Sequence, residues 1–365
     1  MTQMVDWDLA VSTAATLTGG GPRVSVTEAA DVVLELRRLT DAAERHVAAY
    51  TGLSAQVDHP PVQVVDRTDW VRSNVEGLQI VMDPVIEKLQ SVSPPKPSPL
   101  GPMGGAVGTA VKAVGSKATG IQVGTILGFF SSKVLGQYEV FSGAPGRLLL
   151  VAPNVVEIER KLGVDPTDFR LWVCLHEVTH RTQFTAVPWL RDHFLSEVNA
   201  FVDATDLDPD ALADRVRNGI SALADAVRNP ESKASVLDLV QTPAQRAVVD
   251  RLTALMTLVE GHAEFVMDGV GPDVVPTVEG IRARFNARRA ARNPFEKLVR
   301  RLLGIEVKMR QYAEGRRFVA ALVEKVGMNG FNQIWTSAET LPLPSEINNP
   351  DAWVARVHGA TAATN

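Results

Sequence analysis

Five residues near the middle of the chain, His176-Glu177-Val178-Thr179-His180, have the types and spacing for metal-assisted hydrolysis. On an α-helix of 3.6 residues per turn, His176 and His180 stand one turn apart on the same face, so both imidazoles can reach a single ion. Neutral imidazoles are ordinary ligands for Zn2+. The metal lowers the pKa of a bound water, and a carboxylate beside it, here Glu177, can act as general base. With 7 His in 365 residues, a chance occurrence of this pattern has a probability on the order of 0.01. The alternative is an exposed helix with two solvated histidines. Against it stands the apolar run Leu171, Trp172, Val173, Cys174 and Leu175, which reads as a buried helix in which imidazoles need partners.

A catalytic zinc of this kind wants a third protein ligand and a position open to water. Two carboxylates are the main candidates: Glu197, on the segment that follows the motif, and Glu260, much further along. Glu260 is preferred. Its helix opens with the capping box Thr242-Pro243-Ala244-Gln245 and presents Leu252, Leu255, Met256 and Val259 as an apolar stripe. Glu260, His262 and Glu264 inside such a core helix are expensive unless something compensates them, and a cation does. Glu264, one turn after Glu260, can then accept a hydrogen bond from a ligand imidazole. Gly261 is expected to remove bulk beside the ligand. His193 is an alternative ligand, although its place in Trp189-Leu190-Arg191-Asp192-His193 suits a surface or supporting position better. Tyr312, near Arg310 and Arg316, is a candidate donor to the oxyanion of a tetrahedral intermediate. Cys174, two positions before His176, points away from the ligand face and reads as core.

The elements that must position these groups are mostly helices. The motif helix is predicted to open at Asp165, with Pro166 first and Asp168 in the first turn, and to run to about Phe184. Residues 26–50 and 69–92 carry helical spacing as well. Two short β-favouring runs, Gln137 to Phe141 and Arg147 to Val151, are separated by Ser142-Gly143-Ala144-Pro145-Gly146 and read as a hairpin just upstream. An open sheet edge there could hold an extended peptide by strand addition. The expected class is therefore mainly α (α+β), a helical body with a small hairpin or sheet beside the motif helix. Its expected organisation is an N-terminal helical region over 1–93, a Gly/Pro-rich linker and buried apolar segment over 94–135, a metal-binding domain over 136–358, and a disordered tail over 359–365, with one compact domain throughout as the alternative. In the second of these regions, Gly104, Gly105, Gly108 and Gly115 suggest either flexible chain or close helix packing.

Composition narrows the partners. A formal net charge of −5 gives no reason to expect nucleic acid or an anionic membrane, and the locally basic stretch from Arg282 to Arg301 reads first as a solvated helix face. The single cysteine excludes an intrachain disulfide and fits a reducing cytoplasm. Met1 to Ala10 does not read as a secretion signal. The apolar stretch from Ala118 to Ser132 is shorter than the roughly 20 residues of a spanning helix, so no membrane insertion is expected.

The residues Glu260-Gly261-His262-Ala263-Glu264 resemble the Glu-Gly element that follows the H-E-x-x-H helix in gluzincin peptidases, such as the aminopeptidases and clostridial collagenases, whose Glu is the third zinc ligand. Taken with His176 through Phe184, they resemble more closely a bacterial family of zincin-like metallopeptidases, over roughly Trp7 to His358. Members are often labelled as associated with biosynthesis of a deazaflavin coenzyme. The resemblance implies a zincin-like fold, zinc held by His176, His180 and Glu260, and a peptide or protein substrate. The interval from His180 to Glu260 is far longer than in the aminopeptidases, and no counterpart of their amine-binding motif is present, so exopeptidase specificity does not carry over. Two other classes stay open: an inactive zincin-like binding or scaffold protein, and a zinc hydrolase of a small metabolite.

Overall fold

Apolar residues spaced three and four apart run through most of the chain, and most of it is helical in the computed structural model, which describes residues 4–92, 101–204, 242–290 and 305–362. In chain order the elements are α1 (Trp7–Leu17), α2 (Val26–Thr51), β1 (Gln63–Val65), α3 (Arg67–Val92), α4 (Gly101–Ser131), β2 (Gly136–Glu139), β3 (Arg147–Val151), α5 (Ala152–Leu162), α6 (Pro166–Ala186), α7 (Pro188–Asp203), α8 (Pro243–Gly269), α9 (Val278–Ala290), α10 (Ile305–Phe331) and α11 (Pro350–Ala362). The class is mainly α with one small sheet, as the sequence implied. These elements fall into two units. The first takes Met1–Tyr50, Val57–Thr185 and Val270–Asn286, and the second takes Thr51–Gln56, Ala186–Gly269 and Ala287–Asn365.

The sheet of the first unit has the order β1-β3-β2. The expected hairpin is β2 and β3, paired antiparallel with Gly136 opposite Leu150 and Glu139 opposite Arg147. A third strand, β1, joins parallel to β3, with Val65 opposite Val151. Leu148, Leu149, Leu150 and Val151 are all buried, as suits a central strand covered on both faces. Leu149 and Val151 pack with Trp7, Trp70, Val71, Val75 and Leu127 into one apolar cluster. At its margin the buried Arg67 donates to Asn154 Oδ1 at 2.7 Å and to the Thr18 carbonyl at 3.0 Å, while Asn154 Nδ2 donates to the carbonyls of Ser131 and Val134. Four chain segments are thereby tied at one point.

Of residues 118–132, expected to be a buried apolar segment, 118–131 form the last turns of α4, with Ile121 and Ile126 exposed. Besides Leu127, α4 buries a glycine edge. A Cβ at Gly120 or Gly124 would stand 2.4 Å from the carbonyl oxygen of Asp6 or Ala10, so α1 and α4 approach backbone to backbone. Of the four glycines that the sequence left open between flexible chain and close packing, a Cβ at Gly115 would meet nothing within 4 Å, and the surroundings of Gly104, Gly105 and Gly108 lie outside the described residues.

In the second unit α8 begins with the capping box the sequence announced: Thr242 N donates to Gln245 Oε1 at 2.9 Å and Gln245 N to Thr242 Oγ1 at 3.1 Å. Helix α8 packs on α10 through two glycines. A Cβ on Gly261 would lie 2.1 Å from the carbonyl carbon of Gly315, and one on Gly315 would lie 2.0 Å from the carbonyl oxygen of Thr257. Gly261 therefore makes room for a neighbouring helix rather than for a ligand. Helix α10 breaks at Gly327, whose φ is 68°, and α11 is locked by Trp353, fully buried with Nε1 donating to the Thr340 carbonyl at 2.8 Å.

Candidate metal centre

Helix α6 starts as its sequence required, with Asp165 Oδ1 accepting the Asp168 N–H at 3.0 Å and Pro166 leading the first turn. The helix is buried on almost every side, from Phe169 and Trp172 through Leu175, Val178 and Thr185. Arg170 pins its first half by a two-pronged hydrogen bond to Glu159 at 2.9 and 2.6 Å and an ion pair with Glu35. A helix held this way cannot easily roll, so the orientation of its side chains is set by the body of the first unit.

That orientation brings His176 and His180 together. Their Nε2 atoms stand 3.2 Å apart, and the rings meet edge to face with centroids 4.7 Å apart. Two Zn–N bonds of about 2.0–2.1 Å at a tetrahedral angle put ligand nitrogens roughly 3.3–3.4 Å apart, so the pair has the spacing of two ligands to one ion. His180 Nδ1 lies 3.0 Å from Gln183 Oε1. An amide oxygen only accepts, which places the proton on Nδ1 and leaves the Nε2 lone pair for a metal. Gln183 was not singled out from the sequence, yet it sits at the i+3 position after His180, where a helical neighbour is to be looked for.

Glu177 is buried on the same helix, and the three heavy atoms nearest to a Cβ built on Gly136 are its Cγ, Cδ and Oε1. Strand β2 therefore runs directly over it. Arg181, next to His180, is almost fully buried with Nη2 3.2 Å from Glu44 Oε2, and His59 Nε2 lies 2.9 Å from Glu44 Oε1. Burial pulls the Arg181 guanidinium below its ordinary pKa in spite of Glu44. Cys174 faces the core, near the Thr40 hydroxyl, and burial pushes its thiol up to about 12, so it is packing rather than a ligand.

The other candidates lie on elements of the second unit. The carboxylate of Glu197 on α7 accepts from Arg251 Nε at 3.0 Å and Nη2 at 2.7 Å; a surface ion pair satisfies it. His193 packs edge to face on Trp189, with centroids 5.8 Å apart. On α8, His262 turns into the core between Phe331 and Trp335, with centroids 5.3 and 5.5 Å away, while Glu260 and Glu264 are half-buried. Tyr312 falls on α10, but its side chain lies outside the described residues. Glu260, on α8 of the second unit, is the carboxylate the sequence offers to complete His176 and His180; two imidazoles and a carboxylate are a donor set that suits Zn2+.

A buried helix carrying two ligand-spaced histidines and an intervening glutamate, beside a small sheet, defines a zincin-like protein. The chain belongs to the zincin-like metallopeptidase family, whose profile matches residues 5–354, a family for which a metal, typically zinc, is implied. A solved structure from Chloroflexus aurantiacus, described as a "putative hydrolase with a novel fold", is similar to it with a TM-score of 0.68 and 28% identity, over 97% of this chain and 99% of that one. No curated protein matches the chain significantly. No helix among the described residues is long and apolar enough to cross a membrane.

Proposed function

We propose that the protein is a zinc-dependent peptidase in which His176, His180 and Glu260 hold the ion and Glu177 is the general base. The observation that carries the reading is the pairing of the two imidazole Nε2 atoms at 3.2 Å on the helix that also presents Glu177. Glu260 is favoured over Glu197 as the third ligand because Arg251 already satisfies the Glu197 carboxylate. A bound zinc ion would supply Lewis acidity, polarising a carbonyl and acidifying water. The chain's own groups do the rest. Glu177 accepts the proton of the attacking water at its carboxylate and can hand it to the departing amine. Gln183 fixes the tautomer and tilt of His180, and Glu264, one turn beyond Glu260, is placed in sequence to orient an imidazole.

A peptide is the preferred substrate because β2, the strand over Glu177, is an edge of the sheet, and an extended chain can add to such an edge by backbone hydrogen bonds. The lone, buried Cys174 is compatible with work in a reducing cytoplasm. The reading is tested with Glu177→Gln. Zinc content should match that of the wild type while hydrolysis of fluorescein-labelled casein falls by about 10²–10⁴-fold. Undiminished hydrolysis by the purified variant would remove Glu177 from the chemistry.

A further inference from the structure

Gly136, the first residue of β2, occupies a position where the sheet and α6 approach each other more closely than side chains allow. A Cβ built on it would stand 2.6 Å from Cγ, 2.7 Å from Cδ and 3.0 Å from Oε1 of Glu177. The backbone itself makes no demand for glycine there. Gly136 pairs with Leu150 in the regular antiparallel ladder, and its φ is not in the left-handed region. The crowding comes from Glu177. Two residues on, Tyr138 of β2 stacks on Phe184 of α6, with centroids 5.6 Å apart and planes 26° apart, so the strand is seated along the helix at a second point.

We propose that Gly136 is a positioning residue for the Glu177 carboxylate. Bare backbone at the start of β2 forms one wall of the slot that holds this side chain, and any larger residue displaces it. The assignment of Glu177 as general base is taken from the proposed function; the contact between the two residues is not. In the zinc-bound enzyme a methyl group at position 136 would move the base, and with it the water it must deprotonate, while leaving both histidines in place. Misplacement of a reacting group by about 1 Å can cost on the order of 100-fold in rate.

The test is a double-mutant cycle on the full-length protein: wild type, Gly136→Ala, Glu177→Ala and the double variant, each followed by thermal unfolding, zinc content and hydrolysis of labelled casein. Gly136→Ala should lower the unfolding midpoint when Glu177 is present and have little effect once that side chain is cut back to alanine, because the collision partner is then gone. The folded Gly136→Ala protein should keep its zinc and lose about 100-fold in kcat with KM little changed. An equal thermal cost of Gly136→Ala in both backgrounds, or an unchanged kcat, would overturn the proposal. If the wild type hydrolyses nothing, it is the peptidase reading that fails, and the unfolding cycle still decides whether Gly136 sets the Glu177 side chain.

Discussion

In the proposed reading Glu177 and Gln183 divide the work around the histidines into proton transfer and orientation, and the two roles call for different chemistry. The amide of Glu177→Gln is nearly the same size as the carboxylate but cannot accept the proton of water, so the slot under Gly136 stays filled and only the base is lost. For this reason the variant is expected to separate metal binding from turnover, measured as zinc per chain against casein hydrolysis. The motif residues were legible because their chemistry depends on local spacing along one helix. Gln183 was legible in principle by the same i+3 rule, since its contact with His180 is local. Gly136 was not, because its role arises from a strand and a helix separated by some forty residues of chain, and nothing in its own neighbourhood announces the contact.

At the scale of elements, the limits of motif and capping signals can be seen in particular cases. The start of α6 at Asp165 and the capping box of α8 followed from residues within one turn, where side chains compensate backbone donors whatever surrounds them. Strand β1, only three residues long, is too short for a period to show and exists because β3 offers it a parallel partner. Gly261, expected beside a ligand, was misread for the same reason: which helix a glycine faces is a matter of packing. Here the α8–α10 pair leads to a prediction. A methyl group on Gly315 would sit 2.0 Å from the Thr257 carbonyl oxygen, so the helices must separate. Gly315→Ala is expected to destabilise the protein by about 1–3 kcal/mol, read as a lower urea midpoint. A midpoint equal to wild type would mean that the two helices are less tightly packed than described.

Taken whole, the molecule divides into two units, each assembled from separate stretches of sequence. Contacts between residues far apart in the chain decide such boundaries, and a linear composition profile carries little of that information. Charge acts at this scale too. In the second unit, burial alone would raise the pKa of Glu346, but hydrogen bonds from Arg356 and the Leu343 N–H outweigh it and hold the carboxyl below its ordinary value. A carboxylate depressed in the folded state stabilises it above the unfolded pKa and loses that contribution as pH falls through the folded one. Wild type should therefore lose more stability than Glu346→Gln between roughly pH 5 and pH 3. Parallel loss in the two proteins, followed by thermal unfolding, would show that the Arg356 clip does not contribute to the acid response.

Zinc content tests the central claim most directly. Elemental mass spectrometry on untagged protein purified without added metal should find about one zinc per chain in the wild type and in Glu197→Ala, and little in His176→Ala, His180→Ala or Glu260→Ala. A wild type that stays metal-free even when zinc is supplied would contradict the metal centre itself; zinc retained by Glu260→Ala but lost by Glu197→Ala would contradict the choice of third ligand.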